Sequence, residues 1–176
     1  MSNETILILA FVLAWVSVCF LKKQVVKRYM PVALFAAMLV TIVFEVAYTY
    51  QWWKINTVIL NWDRITNVWF VFGPFLIGTI WIFYFTFKRF WLFMLTNVTI
   101  EGLHMVLIDP WVQSRGIYEL ITISRLQVFL LMVSIAFVIY LYQLWQEELL
   151  KKPINEGDEK KFNITLPILK RKQKVE

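Results

Sequence analysis

Five apolar stretches divide this chain, and that pattern leaves few folds open to it. They cover residues 5–21, 30–50, 67–87, 90–108 and 125–145. Each is about as long as a helix needs to cross a hydrocarbon layer of roughly 30 Å. The chain is 60% hydrophobic and 17% charged, whereas a soluble chain is about half apolar and a quarter charged. The excess falls inside the five stretches. The expected fold is all-α: a polytopic integral membrane protein with five transmembrane helices over residues 1–148. A basic, mostly disordered cytoplasmic tail is expected over 149–176, where charges of both signs are dense and Pro153, Gly157 and Pro167 interrupt any long helix.

Charge sets the expected orientation. With five spans the two chain ends lie on opposite sides. Lys22, Lys23, Lys27, Arg28, Lys88, Arg89 and the eight basic residues of the tail then share one side, and Lys54, Arg64, Arg115 and Arg125 share the other. The positive-inside rule puts the C-terminus in the cytoplasm and the N-terminus outside, with the plasma membrane as the site. The formal net charge of +6 comes from clusters beside apolar blocks, so it points to membrane flanks rather than to nucleic acid. No basic residue precedes the first block, so that block is expected to be a retained helix rather than a cleaved signal. The sequons at Asn3, Asn97 and Asn163 lie beside the membrane, within it and in the cytoplasm, and are read as chance matches.

Local signals punctuate the blocks. Pro31 is expected at the start of the second helix, where a missing N–H is harmless. Gly73-Pro74 predicts a kink in the third. Lys88-Arg89 leaves almost no loop, so the third and fourth helices should form a tight antiparallel hairpin. Asp109-Pro110 is expected to end the fourth helix. The connector 51–66 is too polar to span and should lie along the interface, as a helical turn; 117–124 should be a short interfacial helix. Tyr140, Tyr142 and Trp145 look like an interfacial belt. The stripe Trp69, Phe70, Phe72, Trp81, Phe83, Tyr84 and Phe85 reads as lipid-facing bulk.

The chemistry concentrates in the fourth block. Asn97, Glu101 and His104, the chain's single histidine, are spaced i, i+4 and i+7 and so share one helix face. Ionisable groups at membrane depth are costly and usually face protein or water. In the second block Thr41, Glu45 and Tyr48 repeat the spacing. At 1.5 Å per residue, Glu45 and Glu101 lie roughly 7–8 Å and roughly 3 Å outward of their helix centres. Gln127 of the fifth block falls in the same half. The candidate intramembrane polar or proton site is therefore Glu45, Tyr48, Asn97, Glu101, His104 and Gln127.

Three chemistries compete for that cluster. It could be a structural patch, its members hydrogen-bonding between helices to fix their register. It could handle protons or ions, since burial favours the uncharged forms of both a carboxyl and an imidazole. Glu101-x-x-His104 is also half of a di-iron carboxylate motif, but one copy and one further membrane glutamate do not complete it. A haem held by the lone histidine is a related option. The lone Cys19 excludes an internal disulfide and a cysteine-built metal site; it reads as a small hydrophobe, with palmitoylation the minor option. G-x-S-x-G, P-loop, H-E-x-x-H and C-x-x-C motifs are absent.

At Phe72-Gly73-Pro74, Lys88-Arg89-Phe90-Trp91 and Tyr140…Trp145-Gln146-Glu147 the chain resembles a group of uncharacterised five-span membrane proteins from Bacillus-like Firmicutes. The resemblance covers roughly residues 20–148. It implies a bacterial plasma membrane and no particular activity. The expected role is a non-enzymatic membrane component, either an assembly partner or a sensor-like subunit. No catalytic residue, cofactor or metal is expected. The expected partners are the lipid bilayer and a membrane protein or a second copy. The alternative is a proton-linked transporter or channel subunit using Glu45, Glu101 and His104.

Overall fold

A computed structural model describes residues 1–151, with side chains through Glu148. The chain is mostly helical. Its helices are α1 (Asn3–Val18), α2 (Lys23–Thr49), α3 (Val68–Thr86), α4 (Phe90–Ser114) and α5 (Arg125–Lys151). Two three-residue strands, β1 (Trp53–Ile55) and β2 (Tyr118–Leu120), complete the described elements. Four helices, α2 to α5, are long and apolar enough to cross a membrane; α1 is apolar but shorter, at 16 residues. The expected tail lies, from residue 152 onward, outside the described residues. Met1–Gln143 forms one compact unit.

Helices α2 and α3 pack closely along a long seam. Ala33, Ala36, Ala37, Val40, Phe44 and Ala47 form a buried stripe on α2. Small side chains let two backbones approach, so that dispersion contacts help to hold the pair. The facing residues of α3 are Leu76, Ile77, Ile80 and Phe83, all buried. Tyr29 stacks on Phe83 at 5.8 Å between ring centroids.

The start of α2 differs from the expectation. The helix begins at Lys23, so Pro31 lies inside it rather than at its first turn. Lysine and arginine are good helix formers. Hydropathy marks where lipid would be, and the helix extends past that. Arg28 of this basic turn sits over the rings of Tyr29 and Phe87, at 5.4 and 5.2 Å.

In α3 the kink is where Gly73-Pro74 places it. Residues Val71–Phe75 form a wide turn, and Gly73 leaves helical geometry with φ −112° and ψ −106°. A Cβ at Gly73 would lie 2.7 Å from the Phe11 ring, so the glycine also lets α1 close on α3. The Trp15 indole donates to the Phe72 carbonyl (3.0 Å), within the turn that Pro74 disrupts. Trp81 Nε1 donates to Ser17 Oγ (3.0 Å), so α1 and α3 are pinned at a second level. The start of α3 is capped from a distance: Asp63 Oδ2 accepts from the Val68 N–H at 2.6 Å.

The α3–α4 hairpin turns at Lys88, which adopts a left-handed φ of 71°. Helix α4 does not stop at Asp109-Pro110. A wide turn at His104–Ile108 precedes the proline, and the helix runs on to Ser114. The wide turn already breaks the regular ladder there, so the N–H that Pro110 lacks costs little. The connectors are not helical either. Trp53, Lys54 and Ile55 pair with Leu120, Glu119 and Tyr118 in an antiparallel ladder, with a Lys54–Glu119 contact of 3.7 Å across it. Neither three-residue segment signals a strand alone; each supplies the other's hydrogen bonds.

Helix α5 opens with a capping box. Ser124 Oγ accepts from the Gln127 N–H (3.3 Å), and Gln127 Oε1 accepts from the Ser124 N–H (2.8 Å). Tyr140 is buried rather than part of a belt. Its ring contacts those of Phe93 (4.9 Å), Phe90 (5.2 Å) and Phe87 (6.4 Å). Tyr142 stacks on Phe35 at 4.3 Å. The aromatic stripe of α3 divides by helix face: Phe83 is core, while Tyr84 and Phe85 are exposed.

Candidate functional site

Away from the α2–α3 seam the helices and the strand pair line a partly open cavity of about 470 Å³. Ile6, Leu7 and Ala10 of α1 line one side. The strand pair contributes Trp53, Ile55, Tyr118 and Leu120, and Phe44 comes from the adjoining end of α2. From α3 come Trp69, Phe70, Phe75, Gly78 and Thr79; from α5, Val128, Met132, Ile135 and Ala136. The remaining wall is the polar face of α4.

Asn97, Glu101 and His104 share one face of α4, and all three line this cavity. Asn97 Nδ2 donates to the Phe93 carbonyl of its own helix at 2.8 Å. Glu101 meets no hydrogen-bond donor or cation among the described residues. The His104 ring lies 6.4 Å from that of Phe70, tilted by 44°. None of the three hydrogen-bonds to another helix among the described residues, so no register-fixing bond of the structural-patch kind is made there.

The wide turn after His104 extends this face. One turn there takes up an extra residue, so Asp109, five positions on, stays beside His104. A second, small space of about 20 Å³ is bounded by Glu101, His104, Met105, Asp109, Leu120 and Arg125. That is room for one water molecule. The Asp109 carboxylate is buried and well served: its Oδ2 accepts from Arg125 Nε (2.7 Å) and Gln113 Nε2 (2.7 Å). One face of α4 thus carries an amide, a carboxyl, an imidazole and a paired carboxylate in succession, ending at Arg125.

The other sequence-predicted site residues lie elsewhere. Glu45 and Tyr48 are exposed on α2, on the side away from its buried stripe. Gln127 is exposed and occupied in the capping box. The i, i+4, i+7 pattern of Thr41, Glu45 and Tyr48 is present on its helix, but only the Thr41 hydroxyl is buried; the Glu45 and Tyr48 side chains are exposed.

Sequence reasoning missed two polar groups on the cavity wall. Asn67 Oδ1 and Trp69 Nε1 are buried and have no hydrogen-bond partner among the described residues. Asn67 holds a left-handed conformation, φ 57°, just before α3. An asparagine at a helix start is a common cap and Trp69 resembles a lipid-facing ring, so neither had a local signal. The pairing of Asp109 with Arg125 was equally hidden, being a contact between helices. Among the described residues no group of three His, Cys, Asp or Glu is arranged to hold a metal ion.

Fold and site together define a class: a mostly helical protein, four of whose helices can cross a bilayer, built round an apolar cavity with a carboxyl and an imidazole on its wall. No family model, curated protein or solved structure matches the chain.

Proposed function

We propose that this protein is a non-enzymatic, sensor-like subunit of a bacterial plasma membrane that takes an amphiphilic small molecule into the cavity beside α4. All five helices cross the bilayer in this reading, with the N-terminus outside and the C-terminus in the cytoplasm. The cavity carries the proposal: its volume falls in the range of small-molecule sites, and such sites combine apolar walls with a few converging polar groups. The charge asymmetry of the loops supports the orientation. The crossing of α1 is supported by Asn3 Nδ2, which donates to the Arg115 carbonyl at 2.9 Å and so ties the start of α1 to the connector after α4. The plasma membrane rests on the resemblance to the Firmicutes group.

The test is a thermal-shift and tryptophan-fluorescence screen of amphiphiles on the full chain in nanodiscs, beside Gly78→Leu. Gly78 lines the cavity, and a Cβ there meets no atom within 4 Å, so leucine would fill space without a clash at its root. Saturable binding to the wild type that Gly78→Leu abolishes is the expected result. Unsaturable partition into both, equal to that of empty nanodiscs, would remove the proposal.

The run Glu101, His104, Asp109 beside a water-sized space favours a second reading, a proton-linked transporter or channel subunit. Proton flux into proteoliposomes that is the same in wild type, Glu101→Gln and His104→Ala would dismiss it.

A further inference from the structure

We infer that the cavity is a site for a lipophilic cation, with the Glu101 carboxylate as its counter-charge. This rests on the reading of the cavity as a small-molecule site and adds the chemistry of the occupant.

The oxygens left without a donor on the wall stand beside one unpartnered N–H, that of Trp69. Glu101 offers carboxyl oxygens that no described donor engages, and Asn67 offers a buried side-chain carbonyl oxygen with no partner. Both are acceptors. Among the described residues no lysine or arginine lines the cavity. The nearby Arg125, at the small adjoining space, is engaged by Asp109 at 2.7 Å. His104 shares the wall with Glu101 but makes no hydrogen bond to it. A carboxylate in such surroundings lacks a counter-ion, and a buried charge is tolerable chiefly when paired. A ligand that carries a positive charge supplies the missing partner.

The rest of the wall suits the body of such a ligand. Phe44, Trp53, Trp69, Phe70 and Phe75 line it, and a weakly hydrated cation is attracted to aromatic faces. Aliphatic side chains of α5 close the other side. The other charge types fit less well. An anionic amphiphile would set its charge against Glu101, which costs binding free energy. A neutral one would leave both acceptors unserved. Trp69 Nε1, a donor, leaves a place for one acceptor atom on the ligand.

The experiment uses the full chain in zwitterionic nanodiscs and three probes of related shape: tetraphenylphosphonium, triphenylphosphine oxide and tetraphenylborate. Binding is measured by equilibrium dialysis against empty nanodiscs. Saturable binding of the phosphonium is expected, at least about tenfold tighter than that of either other probe, a difference of about 1.4 kcal/mol. Glu101→Gln should remove that preference and leave the phosphine oxide unchanged, and Gly78→Leu should abolish binding of both. Equal saturable binding of cation and neutral probe to the wild type would overturn the inference while leaving the small-molecule site standing. Saturable binding of none of the three would overturn the inference together with the reading beneath it. The wild-type comparison of the three probes decides the charge question even if a variant fails to fold.

Discussion

Along the α2–α3 seam four alanines let two helices close into contact, whereas beside α4 a similar apolar composition leaves a cavity of about 470 Å³. The most apolar window of each helix is 39% buried in α2 and α3 but only 11% buried in α4. Composition does not separate the two regions; side-chain size and position do. Small residues repeated on one face remove the space between backbones. On the other side Phe90, Phe93 and Tyr140 hold α4 and α5 together through long rings, which act as spacers. Space that would be a defect in a seam is here apolar, with a few polar groups on its wall, of which Asn67 Oδ1 and Trp69 Nε1 have no partner among the described residues. The stabilising region and the candidate functional region are thus different places in one bundle.

The contrast is most exposed to failure at paired substitutions. Ala36→Leu adds bulk to a fully buried seam position and should cost about 3 kcal/mol. The same side chain introduced by Gly78→Leu should cost nothing, because it enters open space and replaces a glycine within a helix. Unfolding in SDS–detergent mixtures, followed by circular dichroism, compares the two; equal losses would erase the distinction drawn here. Gly73→Ala forces a methyl group against Phe11 and should cost about 2 kcal/mol in the same titration. A Phe11→Ala background should recover part of that loss, since it removes the ring the methyl meets.

Arg125→Ala leaves the buried Asp109 carboxylate with Gln113 alone. The arginine side chain is 47% exposed, which lowers the expected loss to about 1–2 kcal/mol. Arg125→Ala combined with Asp109→Asn should be less damaging than the single change, because no charge is then stranded. The smallest effect is expected at Glu101→Gln: within about 0.5 kcal/mol, as the carboxyl holds no protein partner to lose. A loss of about 2 kcal/mol there would mean that Glu101 is part of the packing, and would restore the structural-patch account.

Much of this was legible in the chain. Hydropathy locates five helical segments, the missing N–H of Pro74 beside Gly73 marks the bend, and the two-residue link Lys88-Arg89 marks the tight hairpin. Helical periodicity grouped Asn97, Glu101 and His104 on one face. It does not say which apolar face turns inward, so Glu45 and Tyr48, with the same spacing, fall into the same group although they lie exposed on α2. Depth alone puts Gln127 in that group, whereas the Ser124-x-x-Gln127 spacing spells a helix start. Hydropathy misses helix ends where lipid preference and helix preference part, at Lys23 and at Pro110.

What the sequence settled alone were properties carried by neighbours along the chain: apolar length, turn chemistry, and which residues share a helix face. Only the tertiary structure decided that Trp53 would pair with Leu120, that Tyr140 would be buried among phenylalanines, and that the face of Glu101 would open on a cavity. Each depends on side chains brought from distant parts of the chain, and a local pattern holds no record of which distant surface it will meet. A void is the extreme case, since it is defined by what several separate segments together fail to fill.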